Sequence, residues 1–254
     1  MTKSSSGFRK NLKKAILDTL FPIFCFGCGR EGSWLCNECV KKVKILERQY
    51  CPQCEKEITL SGSLCGKCRH GKKSHLDALI SSTGYDAPAI KKLTHGLKYR
   101  YLTDAAGVLS HFIIKALLFH DCPLPFAIVP VPLHKKRLRW RGFNQAQLLA
   151  EKISENLAPP LVISVLDILE RKKYNKPQME IKNYQERLRN VEDIFQLKSD
   201  FDCSPIQKKT LLLVDDIATT GATLQECAKI LKESGAKKVI AAVVARQSLK
   251  EKGI

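Results

Sequence analysis

Two adjacent carboxylates, Asp215 and Asp216, run into a small, hydroxyl-rich turn: Ala218, Thr219, Thr220, Gly221, Ala222, Thr223. The hydroxyls and free amides of such a turn can close around an anion, and Gly221 allows a positive φ and a close backbone approach. A helix starting there adds outward-pointing N–H groups and the positive end of its dipole, a combination suited to a phosphate. Acids at the carboxyl end of the preceding strand then face hydroxyl or metal chemistry in the same crevice. A plain capping turn after a solvated acid pair would use similar residues. The adjacency of the two acids and the strand–turn–helix–strand surroundings favour the anion cradle.

A second chemistry is carried by cysteine. Eight of the eleven cysteines form four Cys-x-x-Cys pairs: Cys25/Cys28, Cys36/Cys39, Cys51/Cys54 and Cys65/Cys68. Two such pairs supply the four thiolates of a structural zinc, so eight suit two ions, Zn2+ in each case. Seven residues separate Cys28 from Cys36 and ten separate Cys54 from Cys65. Those gaps can close two successive ribbons, although a cross-braced pairing uses the same residues. A four-cysteine site has no open coordination position, which makes the role structural. Paired spacing argues for metal and a reducing compartment rather than disulfides. His70 and His75 are not needed as ligands. Cys122, Cys203 and Cys227 lie scattered in apolar surroundings and are expected to be buried small apolar side chains.

The elements that must position the turn lie around it. Residues 211–214 are a short apolar run, expected as a buried strand. Beyond Gly221, the apolar positions Leu224, Cys227, Ala228, Ile230 and Leu231 recur at helical spacing, and Gly235 stands where a C-cap belongs. Residues 239–244 read as the next strand, which completes a βαβ unit of a parallel sheet. Upstream, residues 77–86 are expected as a strand, 87–117 as one or two helices, 127–131 as a strand, 145–154 as a helix and 161–169 as a further strand. Residues 132–145 are expected as a loop carrying Lys135, Lys136, Arg137, Arg139 and Arg141. Arginine's planar fork suits phosphate, and Trp140 and Phe143 suit stacking on bases. Residues 170–195 are polar and very basic, as in a lid or binding loop.

The chain of 254 residues carries 43 Lys and Arg against 25 Asp and Glu, a net charge of +18. That excess favours a polyanionic partner: a phosphorylated metabolite, nucleic acid or an anionic membrane face. No run of about 18 apolar residues occurs, so no transmembrane segment is expected. Lys10, Lys13 and Lys14 ahead of an apolar stretch faintly resemble a signal peptide, but Asp18 and Pro22 interrupt it and no small-x-small cleavage site follows. The cytoplasm is the expected location. The expected layout is a basic tail over 1–20 whose residues 11–20 form a short amphipathic helix, a double zinc ribbon over 21–72, and a larger domain over 76–254.

Residues 213–223, LVDDIATTGAT, resemble the phosphoribosyl-pyrophosphate (PRPP) motif of type I phosphoribosyltransferases. The wider chain resembles the ComF family of phosphoribosyltransferase-like proteins associated with natural competence. Residues 128–151 (IVPVPLHKKRLRWRGFNQAQLLAE), 171–178 (RKKYNKPQ), 187–195 (RLRNVEDIF) and the four cysteine pairs carry that match, which covers nearly everything after about residue 20. It implies an α/β fold, a type I phosphoribosyltransferase-like parallel sheet flanked by helices and preceded by a small N-terminal double zinc-ribbon domain. It implies Asp215 and Asp216 as the catalytic pair on the ribose hydroxyls, and Ala218, Thr219, Thr220, Gly221 and Thr223 around the 5′-phosphate. Arg137, Arg139 and Arg141 would meet pyrophosphate, Lys98 would belong to a cap, and Arg171, Lys172 and Gln178 to a flap with Arg187 and Asn190 at its base. Magnesium (Mg2+) would accompany PRPP. The implied activity is glycosyl transfer from PRPP to a nitrogen acceptor that no residue identifies. The implied role is DNA uptake in natural transformation, with single-stranded DNA and a competence helicase as partners. A metabolic phosphoribosyltransferase of nucleotide synthesis or salvage, and a non-catalytic PRPP sensor, stand as alternatives. Oligomeric state leaves no signature.

Overall fold

The computed structural model describes residues 22–71, 74–172 and 193–247. The helix expected over 11–20 and the flap residues Gln178, Arg187 and Asn190 lie outside them. The chain divides into two compact units, Met1–Lys44 and Ile45–Ile254.

The first unit holds one four-cysteine ribbon. Helix α1 (Asn37–Lys42) starts after Cys36 and carries Cys39. Phe26 stacks on Trp34 with centroids 5.6 Å apart, giving the ribbon an apolar patch of its own. The second unit opens with a ribbon of the same plan. Its strands β1 (Gln49–Tyr50) and β2 (Ile58–Thr59) pair antiparallel, and helix α2 (Gly66–Arg69) follows Cys65. Buried Gln49 ties this ribbon to the larger body: its side chain donates to Ser81 O at 3.0 Å and accepts from Ser81 N at 2.9 Å.

Next come β3 (Ala78–Gly84), α3 (Pro88–Tyr99), α4 (Ala105–Phe119), β4 (Ala127–Pro130), α5 (Lys135–Arg141) and α6 (Gln145–Asn156). A short antiparallel pair, β5 (Leu169–Arg171) with β6 (Phe195–Leu197), precedes β7 (Thr210–Ala218), α7 (Ala222–Glu233) and β8 (Lys238–Arg246). The main sheet has the order β3-β8-β7-β4, and every pairing in it is parallel. Its central strands are apolar along their length because both faces are covered. Leu211 and Leu213 of β7 share a core with Leu224, Cys227, Ala228 and Leu231 of α7. Alternation puts Leu212 and Val214 on the other face, and α4 and α6 pack against the sheet as well. The expected α/β fold with a parallel sheet, flanking helices and an N-terminal double ribbon is therefore present.

Three local expectations are corrected. Residues 132–145 are not one loop. They contain α5, begun by His134, whose Nδ1 accepts from Lys136 N at 3.1 Å, and ended by Gly142 at φ 78°. Residues 161–169 are not one strand. Only Val165 bridges to the sheet, at Ile128, while Leu161 and Val162 stand exposed beyond a turn in which Leu161 N donates to Ala158 O. A short apolar run does not by itself decide between strand and coil. Of the scattered cysteines only Cys227 is buried; Cys122 and Cys203 lie half-buried beside turns. Among the described residues no helix is long and apolar enough to cross a membrane.

Candidate functional site

Strand β7 continues through Asp215 and Asp216 to Ala218, so the two acids leave its carboxyl end on alternate sides. Asp216 is 2% exposed, and its Oδ2 meets Lys98 Nζ at 2.8 Å. Its Oδ1 accepts from Ile217 N at 2.8 Å. Half-buried Asp215 accepts from Asp216 N at 2.8 Å. Burial, then the neighbouring Asp216 charge, push the Asp215 carboxyl up to about 8, against the pull of Lys98. Burial works against the Lys98 ammonium, but the Asp216 carboxylate holds its pKa above the ordinary lysine value. The side chain of Lys98 sits in the last turn of α3, which Ile90, Leu93 and Leu97 anchor in the core.

The turn after β7 has the geometry its composition suggests. Gly221 takes φ 69° at the N-cap of α7, the left-handed conformation that favours glycine. Buried Thr220 turns inward, its Oγ1 accepting from Ala222 N at 3.4 Å. Thr219 and Thr223 face a cleft of about 150 Å³. Lys98, Asp215, Asp216, Arg137, Arg141 and Arg171 line the same cleft. The guanidinium of Arg141 is buried, donates to Gln145 Oε1 and lies 5.6 Å from the centre of the Tyr99 ring. Burial lowers its pKa from the usual arginine range. Burial, followed by Arg171, Lys136, Arg137 and Arg139, likewise lowers the pKa of His134, a gauge of how positive this end of the sheet is.

Of the residues singled out in the sequence, Arg139 is exposed and does not line the cleft, and Ala218, Thr220 and Gly221 build the loop without lining it. Tyr99 and Gln145 line it without having been singled out. Their signal was adjacency alone, to Lys98 and to the turn after Arg141. The half-buried Asp215 carboxylate, set beside an acid already paired, fits a partly hydrated magnesium ion that shares its ligands with a phosphate group.

The cysteines form two groups, Cys25/Cys28/Cys36/Cys39 and Cys51/Cys54/Cys65/Cys68, with ligand atoms within 4.8 Å of one another in each. This is the sequential pairing, and it fits a tetrahedral zinc in each ribbon. In each ribbon one thiol is drawn down and the fourth cysteine is pushed up. Burial raises the pKa of Cys25, but the amides of Cys36, Cys28 and Gly27 lower it to about 6. Burial likewise opposes Cys54, which the amides of Glu57 and Lys56 bring down to about 7. Burial and neighbouring sulfurs push Cys39 and Cys68 up to about 12. Four crowded thiols that cannot all ionise together are a donor set for a cation.

A phosphoribosyl transferase domain model matches residues 143–253, and a double zinc ribbon domain model matches residues 16–69. The DNA utilization protein YhgH of Escherichia coli (strain K12) is 30% identical over 210 residues, covering 81% of this chain and 87% of that protein. Competence protein F of Haemophilus influenzae is 30% identical over 208 residues, with the same coverage of 81% and 87%. Competence protein ComFC of Bacillus subtilis (strain 168) is 28% identical over 207 residues, 79% of each chain.

Proposed function

Because the chain belongs to the ComF family, we propose that it binds PRPP with magnesium in the cleft at the end of β7 and works in DNA uptake, on the cytoplasmic side. The observation that supports the ligand is convergence. A phosphate-type loop, a carboxylate pair and three arginines, two from α5 and one from β5, line one small cleft. The N–H groups at the start of α7, with Thr219 and Thr223, receive the 5′-phosphate. Asp215 and Asp216 take the ribose hydroxyls, and the Asp216 charge favours the cationic ring that develops when pyrophosphate leaves the anomeric carbon. Lys98, 2.8 Å from Asp216, holds that side chain in place. Arg137, Arg141 and Arg171 offset the negative charge of the leaving pyrophosphate. Asp215 would hold magnesium, whose charge would offset that of the pyrophosphate oxygens.

Titration calorimetry with PRPP and magnesium tests the reading. Saturable binding that disappears in the Asp215→Asn/Asp216→Asn double variant is expected. No binding by the wild type, or equal binding by the variant, overturns it. Product analysis with nitrogen acceptors then separates phosphoribosyl transfer from sensing.

The DNA side of the proposal is supported by an aromatic and basic rim. Tyr99, Tyr101 and Trp140 are exposed, and Tyr101 Oη donates to Trp140 O at 3.1 Å. Exposed Arg100, Lys135, Lys136 and Arg139 lie close to them in the chain. Rings beside cations suit a single strand, whose bases stack while its phosphates are neutralised. A mobility shift with a single-stranded oligonucleotide at low salt is expected, weakened about tenfold by Tyr101→Ala/Trp140→Ala. Absence of a shift at low salt rules out direct contact, because phosphate interactions are strongest there.

A further inference from the structure

The second ribbon is joined to the phosphate loop at two points. Glu55 directly follows Cys54 and takes φ 58°, in the left-handed region. The equivalent residue of the first ribbon is Gly29, at φ 74°. Both close the same knuckle hydrogen bond: Gly29 N donates to Cys25 O at 2.8 Å, and Glu55 N to Cys51 O at 3.0 Å. Glycine enters this conformation freely and glutamate does not. A glutamate held there points to a use for its side chain.

That side chain is buried and ion-paired. Glu55 Oε1 lies 3.2 Å from Arg246 Nη2, with the two side chains 4% and 9% exposed. Arg246 ends β8 directly opposite Ala218, the last residue of β7, and Gln247 N donates to Ala218 O at 3.0 Å. Glu55 Oε1 is also 3.9 Å from where a Cβ on Gly221 would stand. The second joint is Gln225, in the first turn of α7. Its Nε2 donates to Pro52 O at 3.2 Å, and its Oε1 accepts from the N–H groups of His75 and Leu76 at 3.1 and 3.3 Å. The knuckle over 52–55 therefore grips the phosphate loop from its strand side through Arg246 and from its helix side through Gln225.

We propose that the metal-loaded second ribbon is a brace for the phosphate loop, with Glu55 as the positioning residue, so that the loop's order depends on Cys51, Cys54, Cys65 and Cys68 holding their ion. Glu55 does not line the cleft and acts through Arg246. The consequence for affinity rests on the PRPP reading above; the consequence for loop order does not.

The test uses the full chain. Glu55→Gly places at the second knuckle the residue that the first one has, and Glu55→Gln keeps the shape without the charge. Three quantities are compared with wild type: zinc per chain, hydrogen exchange in the absence of ligand, and PRPP affinity with magnesium. The reporter amides are Ala222 and Gln225, the latter donating to Gly221 O at 2.9 Å. Expected are unchanged zinc, exchange at these amides about tenfold faster with β3, β4 and β7 still protected, and PRPP bound about tenfold more weakly. Wild-type exchange at Ala222 and Gln225 overturns the brace. So does loss of protection throughout the sheet, which would make Glu55 a general stability residue. If Glu55→Gly does not fold, Glu55→Gln decides by the same criteria. If the wild type binds no PRPP, the reading of the cleft falls while exchange still decides the brace. If variants and wild type bind equally well with equal exchange, the brace falls and the reading of the cleft stands.

Discussion

The two zinc ribbons share their metal chemistry and differ in what the knuckle carries. In both, an amide points at a ligand sulfur: Cys36 N to Cys25 Sγ at 3.3 Å, and Cys65 N to Cys51 Sγ at 3.4 Å. In both, a short helix begins after the third cysteine and presents the fourth. The contrast lies one residue past the second cysteine. Gly29 is exposed, and a Cβ there would meet nothing within 4 Å. Glu55 is buried against Arg246. The first ribbon belongs to the unit Met1–Lys44, and the second belongs to the unit that holds the sheet. The two knuckles thus share a fold suited to a metal and differ in the residue at the left-handed position, glycine in one and an ion-paired glutamate in the other.

The largest effect that can break this contrast comes from removing a ligand. Cys54→Ser unseats the second knuckle and should lower PRPP affinity at least about tenfold, since structural zinc energy is folding energy. Cys28→Ser should leave PRPP affinity at the wild-type value. Calorimetry on the two variants, with zinc counted per chain, reads the difference. Equal losses would erase the distinction between the ribbons.

A smaller effect, read by pH, separates the loop from the acids. Asp215 is pushed up to about 8 in the folded chain, whereas an unfolded aspartate titrates near 4. Between those values the folded state holds an extra proton, so stability falls as pH rises through the window. Asp215→Asn should therefore flatten the melting profile between pH 5 and pH 8 and melt above wild type at its alkaline end. Glu55→Gly should keep the wild-type slope, because the brace acts on the loop. A flattened slope in Glu55→Gly would show that the brace also sets the acids.

What the sequence discloses and what it conceals follow from range. The βαβ unit around Gly221 and the cysteine pairs are local patterns legible in spacing; which pairs share an ion is not, because sequential and cross-braced groupings use the same residues, and the fold decides for the sequential one. The basic stretch was legible as charge but not as a helix. Read as a loop, it makes Arg137, Arg139 and Arg141 equivalent. Wound as α5, it puts Arg137 and Arg141 on one face, four residues apart, and turns Arg139 away. The Glu55–Arg246 pair joins the two ends of the second unit. No periodicity announces such a contact, and the only trace in the sequence is a glutamate where the sister knuckle has glycine.

Reciprocity gives a subtler handle. If zinc in the second ribbon raises PRPP affinity about tenfold, PRPP must raise that ribbon's hold on zinc by the same factor. Chelator competition with and without magnesium and PRPP should shift one zinc equivalent about tenfold and leave the other in place. Cys28→Ser identifies which equivalent moves. Two shifted equivalents, or none, would contradict a brace confined to the second ribbon.

The smallest effect concerns the unbraced knuckle itself. Gly29 holds φ 74° with open space around it, so Gly29→Ala meets only the backbone cost of a left-handed non-glycine residue. That cost is about 1 kcal/mol, or roughly fivefold in the zinc affinity of the first ribbon. PRPP affinity and the pH slope should not change. Glu55 occupies the same conformation, so the cost is bearable; what differs is that its carboxylate has Arg246 to hold it. Gly29→Ala therefore measures the backbone penalty alone, which Glu55→Gly relieves and Glu55→Gln leaves in place. A change in PRPP affinity on Gly29→Ala would mean that the first knuckle, too, is coupled to the cleft.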